Sequence, residues 1–184
     1  MAQNIGKQFE RDFASSIPSY CFVHRLRDSS QSYDNNNASL YSWNNECDYF
    51  IYDGQNSRLF FAIECKTTKK RSMSVQINKE DSSSSMIKYH QIQSLKKISE
   101  YKGTVAGLCV NFRHFEGEPN YTENTYFLEV NNMMNMLEKT GKKSFDELDI
   151  ALCENAIKIK GVKKRVHFKW DIDTFFKDVK EIYK

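Results

Sequence analysis

The chain predicts a mixed α/β fold in a single domain covering residues 1–184, and three features of the sequence carry that expectation. Two apolar segments, 46–53 and 58–67, read as strands joined by a turn at 53–57. On the first of them Cys47, Tyr49 and Ile51 share one face and Asp48, Phe50 and Tyr52 the other; both faces are largely apolar, which suits a strand covered on both sides by helices. The run 104–112 (TVAGLCVNF) reads as a further buried strand, with helical spacing in the segments around it. At 184 residues, 40% apolar and 28% charged, the chain can build one core of ordinary size and has the composition of neither a disordered protein nor a coiled coil.

Taken in order, residues 4–16 predict a helix, because Ile5, Phe9 and Phe13 recur every four positions and Pro18 stops it. Residues 20–26 are aromatic and β-branched, a strand pattern. The stretch 28–42 is polar, lacks Lys and Arg, and reads as a loop. After the strand pair, residues 69–85 with their four consecutive serines form a second polar loop. A helix over 86–101 places Ile87, Gln91, Leu95 and Ile98 along one side, and Lys102-Gly103 ends it. Strands at 104–112 and 125–130 follow, then short helices at 131–139 and 144–154. A basic segment leads to an amphipathic closing helix at 171–183. No internal repeat or domain boundary is visible.

Several classes fall away on composition. No apolar run approaches the roughly 18 to 20 residues that span a bilayer, and the N-terminus lacks the apolar core of a signal peptide. Five cysteines (Cys21, Cys47, Cys65, Cys109, Cys153) are odd in number, widely spaced and without a C-x-x-C pair, so neither a zinc knuckle nor a disulfide framework is indicated. A reduced, cytoplasmic protein is expected. The net charge of +3 is compatible with nucleic acid without demanding it.

The chemistry concentrates in the strand pair. Side chains two apart on a strand point the same way, so Glu64 and Lys66 share a face. A hairpin centred on Gln55 sets Asp48 opposite Ala62 and Glu64 on the diagonal of Asp48's own face, about 7–8 Å away at the backbone. Two carboxylates can close that span around one cation, whereas a one-residue slip would split them onto opposite faces. Mg²⁺, with Mn²⁺ as a substitute, prefers such oxygen ligands, and it offsets phosphate charge and lowers the pKa of bound water. Lys66 beside it can orient water or stabilise a pentavalent phosphate. Glu10 on the first helix is either an extra carboxylate or solvent-facing. Gln91, an amide on an otherwise apolar helix side, is placed to bond backbone near the site or a bound water.

Each of these residues also has a plainer reading. Glu-x-Lys is common at strand ends, Asp48 can be a turn former, and His90 a surface histidine. His24, His114 and His167 lack spacing partners and read as structural. Lys69-Lys70-Arg71 and Lys163-Lys164-Arg165 are solvated runs unless they lie along a groove leading to the site. Lys69, Lys70 and Arg71, with Arg25 and Arg27 near the first strand, are the candidate nucleic-acid contacts.

The residues Gly6-Lys7-Gln8-Phe9-Glu10, Cys47-Asp48-Tyr49, Ile63-Glu64-Cys65-Lys66-Thr67-Thr68 and His90-Gln91, with Tyr126-Phe127-Leu128, Gly141-Lys142-Lys143-Ser144 and the closing aromatic helix, cover most of the chain. In this series the sequence resembles the PD-(D/E)xK, restriction-endonuclease-like nucleases, and more narrowly the RecU-type Holliday junction resolvases of Gram-positive bacteria and their phages. The resemblance implies a central mixed β-sheet flanked by helices and a homodimer that cuts four-way DNA junctions, a step in DNA recombination and repair, in a bacterial or phage-infected cell. It implies Asp48, Glu64 and Glu10 as Mg²⁺ ligands, Lys66 as the catalytic lysine and Gln91 as a supporting catalytic residue. The chain departs from those resolvases where they carry a long basic insertion: the interval 28–45 here is short and has no Lys or Arg. That departure leaves open a second expectation, a nuclease-fold protein of bacterial or phage origin that binds or inhibits without cutting.

Overall fold

In the computed structural model, residues 4–26, 45–81, 84–113, 123–165 and 167–183 are described. The predicted loop at 28–42, Arg27 and His114 lie outside them. Among these described residues ten strands and five helices follow in chain order. Helix α1 (Ile5–Ser16) leads to β1 (Phe22–Arg25), β2 (Tyr49–Tyr52), β3 (Phe60–Thr68) and β4 (Ser72–Ser74). Helix α2 (Tyr89–Ser99), β5 (Thr104–Phe112), β6 (Asn124–Glu129) and α3 (Val130–Thr140) come next. The chain finishes with β7 (Ser144–Asp146), α4 (Glu147–Ile150), β8 (Ile157–Ile159), β9 (Gly161–Lys164), β10 (His167–Trp170) and α5 (Ile172–Ile182).

Six strands form one sheet in the order β1-β2-β3-β5-β6-β8. Only the β3–β5 pair is parallel, so the sheet is mixed, as expected. The two middle strands are nine residues long and buried on both faces, which is why they read as near-continuous apolar runs. Alternate residues feed two cores. Ala62, Ala106, Leu108 and Val110 pack under α2 and α3 with Ile92, Leu95, Met133 and Leu137. Phe61, Ile63, Cys65, Val105 and Cys109 pack under α1 and α5 with Phe9, Phe13, Phe175 and Phe176. Gly107 sits where a Cβ would meet the Leu128 carbonyl at 2.3 Å and the Phe127 ring at 2.8 Å, so any side chain there would push β6 away.

Helix α1 begins where the Asn4 side chain accepts the Gly6 and Lys7 amides, and it ends as Ile17 turns extended ahead of Pro18. Phe9, Asp12, Phe13 and Ser16 form its buried stripe. The two polar members of that stripe hold a neighbour: Asp12 accepts from the Phe168 amide at 3.1 Å and pairs with His167 Nδ1 at 2.8 Å, and the Ser16 hydroxyl accepts the Trp170 amide at 3.0 Å.

Five expectations need correction. The β2–β3 hairpin pairs Tyr49 with Ile63 and Phe50 with Ala62, so it is centred on Asn56 and not on Gln55; continuing that register sets Asp48 opposite Glu64 instead of Ala62. Cys47 precedes β2 and turns into the α2-side core, away from Tyr49 and Ile51, and Tyr52 is exposed. The polar loop at 69–85 contains β4, which pairs with β7, and Val75 bridges to Ile87, which keeps α2 from starting before Tyr89. The predicted helix at 144–154 is β7 followed by the four-residue α4. The basic segment is three strands: β8 joins the sheet and β9–β10 form a hairpin. Strands of three or four residues that bury at most two side chains are too short to show a period.

Candidate active site

The site lies at the end of the β2–β3 hairpin away from its turn, on the face that α2 covers. Strand alternation points Ala62, Glu64 and Lys66 to that face and Ile63 and Cys65 to the other. Asp48 is brought in by its own backbone: its amide donates to the Ile63 carbonyl at 3.1 Å, and its carbonyl accepts from Leu26 at 3.0 Å. One of its carboxylate oxygens accepts the Cys65 amide at 2.7 Å, which ties Asp48 to β3 beside Glu64.

Glu64 is only 3% exposed. Its Oε1 is 2.7 Å from Lys66 Nζ and accepts from Gln91 Nε2. Gln91 Oε1 in turn accepts the Lys88 amide at 3.0 Å, so one side chain caps the start of α2 and fixes the Glu64 carboxylate. The Glu64 carboxyl is pushed up to about 7: burial raises it most, Lys66 pulls it back, and Asp48 and, more weakly, Glu10 add to the rise. An acid this costly to ionise, paired with one lysine and beside a second carboxylate, has the donor chemistry that a divalent cation relieves.

Asp48, Glu64, Lys66 and Gln91 are therefore brought together, as the sequence suggested. Glu10 is placed differently: it lies on α1 and ion-pairs with Arg25 at 2.6 Å, while its carbonyl accepts the Tyr49 hydroxyl at 3.1 Å. Among the described residues no three His, Cys, Asp or Glu side chains group closely enough to enclose a metal by themselves. Arg25 is thus engaged within the fold, while Lys69, Lys70 and Arg71 are exposed just past the end of β3. His90 is exposed, as its surface reading held, yet desolvation and then the charges of Lys66 and Lys88 lower its pKa, so it borders the same site. The sequence reading missed this, although the adjacency of His90 and Gln91 on α2 was the signal. His24 is exposed on β1, and His167 is structural, paired with Asp12.

No protein-family model matches the chain. Over 180 residues it is 25% identical to the SPbeta prophage-derived uncharacterized protein YotM of Bacillus subtilis (strain 168), covering 92% of this chain and 83% of that protein. Among solved structures it is similar to Hjc, a Holliday junction resolvase from the hyperthermophilic archaeon Archaeoglobus fulgidus, with a TM-score of 0.45 and 18% identity, over 83% of this chain and 95% of that one. No helix among the described residues is long and apolar enough to cross a membrane.

Proposed function

We propose that this protein is a Mg²⁺-dependent DNA endonuclease that hydrolyses phosphodiesters in branched DNA, working as a homodimer in a bacterial or phage-infected cell. The observation that carries the reading is the buried Glu64 carboxylate, held between Lys66 and Gln91 with Asp48 beside it, at one end of the sheet. The prophage origin of a relative fits the cellular setting. Junction preference and dimerisation rest on the resemblance to RecU-type resolvases.

Asp48 and Glu64 would hold the cation, with Glu10 joining them when released from Arg25. Bound there, the cation would neutralise phosphate charge and lower the pKa of a water. Gln91 keeps Glu64 from rotating away, because its amide is fixed to the backbone at the start of α2. Lys66, half-buried, places a fixed positive charge at the mouth of the site, where it can orient the attacking water or stabilise the extra negative charge on phosphorus. The covering core of α2 and α3 excludes bulk water from the inner side, which strengthens each of these interactions.

The test is a panel of labelled four-way junction, flap, duplex and single-stranded DNAs, incubated with and without Mg²⁺. Cleavage of branched substrates that requires Mg²⁺ and disappears in Glu64→Ala and Lys66→Ala supports the reading. Cleavage that survives both substitutions ends it. The Arg25–Glu10 ion pair favours one other reading, a nuclease fold that occupies DNA or a partner without cutting. That reading gains if no substrate is cut with Mg²⁺ or Mn²⁺ while Asp48→Ala still binds DNA as the native chain does.

A further inference from the structure

The segment 157–170 carries six cations, Lys158, Lys160, Lys163, Lys164, Arg165 and Lys169, and no acid. The whole chain has a net charge of only +3, so the other residues together are net negative. All six side chains are exposed, and among the described residues none is ion-paired to a carboxylate. A solvated charged face usually mixes both signs; this one does not.

The hairpin that displays them is rigidly mounted. Gly161 faces Trp170, whose ring lies where a Cβ at position 161 would be, 2.1 Å from the nearest ring carbon, so the strands close tightly. Phe168 stacks on Trp170 with ring centroids 5.2 Å apart, and Trp170 packs edge-on against Phe9 of α1. Asp12 and Ser16 bond the β10 backbone, as described above. The opposite face of the hairpin carries Val162, 59% exposed, with Lys164, His167 and Lys169. It forms one wall of a cleft of about 830 Å³ whose other wall is Ser15 to Tyr20; two acids also line it, Asp171 and Asp173, the second tied to Tyr20 and Lys177.

Position adds direction. Asp12 meets His167 and Ser16 meets Trp170, so β10 runs alongside α1 in the same sense and the tip after Lys164 points toward the helix's N-terminal half. Glu10 lies there, about 3 Å of helix rise from Asp12. Lys7 and Arg11 are exposed on that stretch of α1. The cations thus extend from the cleft toward the end of the molecule where Glu10 and Tyr49 meet.

We propose that the lysine-bearing outer face of the β9–β10 hairpin is a docking surface for the phosphate backbone of duplex DNA. A row of lysines on a stiff two-stranded ribbon, with neither acids nor base-reading amides on its outer face, suits sequence-independent backbone contact. The inference deepens the nuclease reading, because the surface would hold a duplex arm while the Asp48–Glu64 site acts.

Binding of a short fluorescein-labelled duplex is followed by anisotropy in EDTA over a range of KCl, with the full chain. Replacing Lys160, Lys164 and Lys169 together by Ala weakens binding by about tenfold or more at low salt and reduces the slope of log K against log salt by about 2 to 3. Lys→Arg at the same three positions restores both, which excludes misfolding as the cause. If the Ala variant binds duplex with the native affinity and slope, the inference is overturned while the cleavage reading stands. If lysine dependence appears only with phosphatidylserine vesicles or only with single-stranded RNA, it is overturned as well. If duplex binding depends on the lysines but no DNA in the panel is cut, the surface stands and the nuclease reading fails.

Discussion

Asp53 and Glu64 lie at opposite ends of the β2–β3 hairpin, both nearly inaccessible to solvent, and the chain treats them in opposite ways. Asp53 is surrounded by donors from its own turn: the amides of Gln55, Asn56 and Ser57 at 3.1, 3.0 and 2.7 Å and the Ser57 hydroxyl at 2.9 Å. Burial alone would push its carboxyl up, but those donors outweigh it and hold it below the usual carboxylate range. Glu64 receives no such backbone cage. It is served by two side chains, Lys66 and Gln91, and faces a second acid, so burial wins and its carboxyl rises. Burial of an acid therefore says little by itself; who donates to it separates a carboxylate that builds a turn from one left short of donors.

The sharpest way to break this contrast is to neutralise each acid and measure both activity and stability. Glu64→Gln should lower Mg²⁺-dependent cleavage by about 10³-fold while leaving the unfolding free energy from urea titration unchanged or higher by up to about 1 kcal/mol, because a poorly compensated buried charge is gone. A loss of several kcal/mol would show that Glu64 is structural after all. Asp53→Ala should do the reverse, costing about 2 to 3 kcal/mol by leaving turn donors unpaired with cleavage retained in the folded fraction. Mg²⁺ itself should raise the melting temperature of the native chain, by the equivalent of about 2.7 kcal/mol at a hundred times Kd. Calorimetry that shows the same rise in Glu64→Gln would sever the link between Glu64 and the metal.

The pH dependence follows the same division. In metal-free protein the Glu64 carboxyl, raised to about 7 from an unfolded value of about 4.3, binds its proton more tightly when folded. Its contribution to stability is therefore present below that unfolded value and is lost as pH rises toward 7; Glu64→Gln should flatten that limb in denaturant titrations. Asp53, lowered on folding, contributes above its unfolded value of about 3.9 and loses the contribution only as pH falls through its lower folded value. The smallest expected effect is Arg58→Gly, which relieves a left-handed residue (φ 58°) in the same turn and should stabilise by under about 1 kcal/mol in thermal melts.

That residue also explains where sequence reading stopped short. Face assignment along β3 was legible, since a period of two needs no knowledge of partners, and it put Glu64 and Lys66 together. Register was not. The turn residues suggested a hairpin centred on Gln55, but the chain closes through Asp53 and Leu59, with Arg58 taking the left-handed conformation that nothing in its side chain announces. The pairing moves by one position on each strand, which preserves the face and brings Asp48 level with Glu64. The central strands were readable because nine buried residues leave a long apolar trace. Met73 on β4 and Phe145 on β7 are single buried residues in three-residue strands and leave none. Glu10 illustrates a different limit: its place on α1 was visible, but its ion pair with Arg25 is a contact across 15 positions that no local pattern encodes.

The one parallel pairing in the sheet has a consequence for synthesis. Phe60–Thr68 meets its partner Thr104–Phe112 only after an intervening crossover has emerged, so the strand bearing Glu64 waits with an apolar edge exposed. Fragments truncated before residue 104 should therefore aggregate through that edge, and the Asp48–Glu64 end of the sheet cannot become ordered until β5 has emerged from the ribosome.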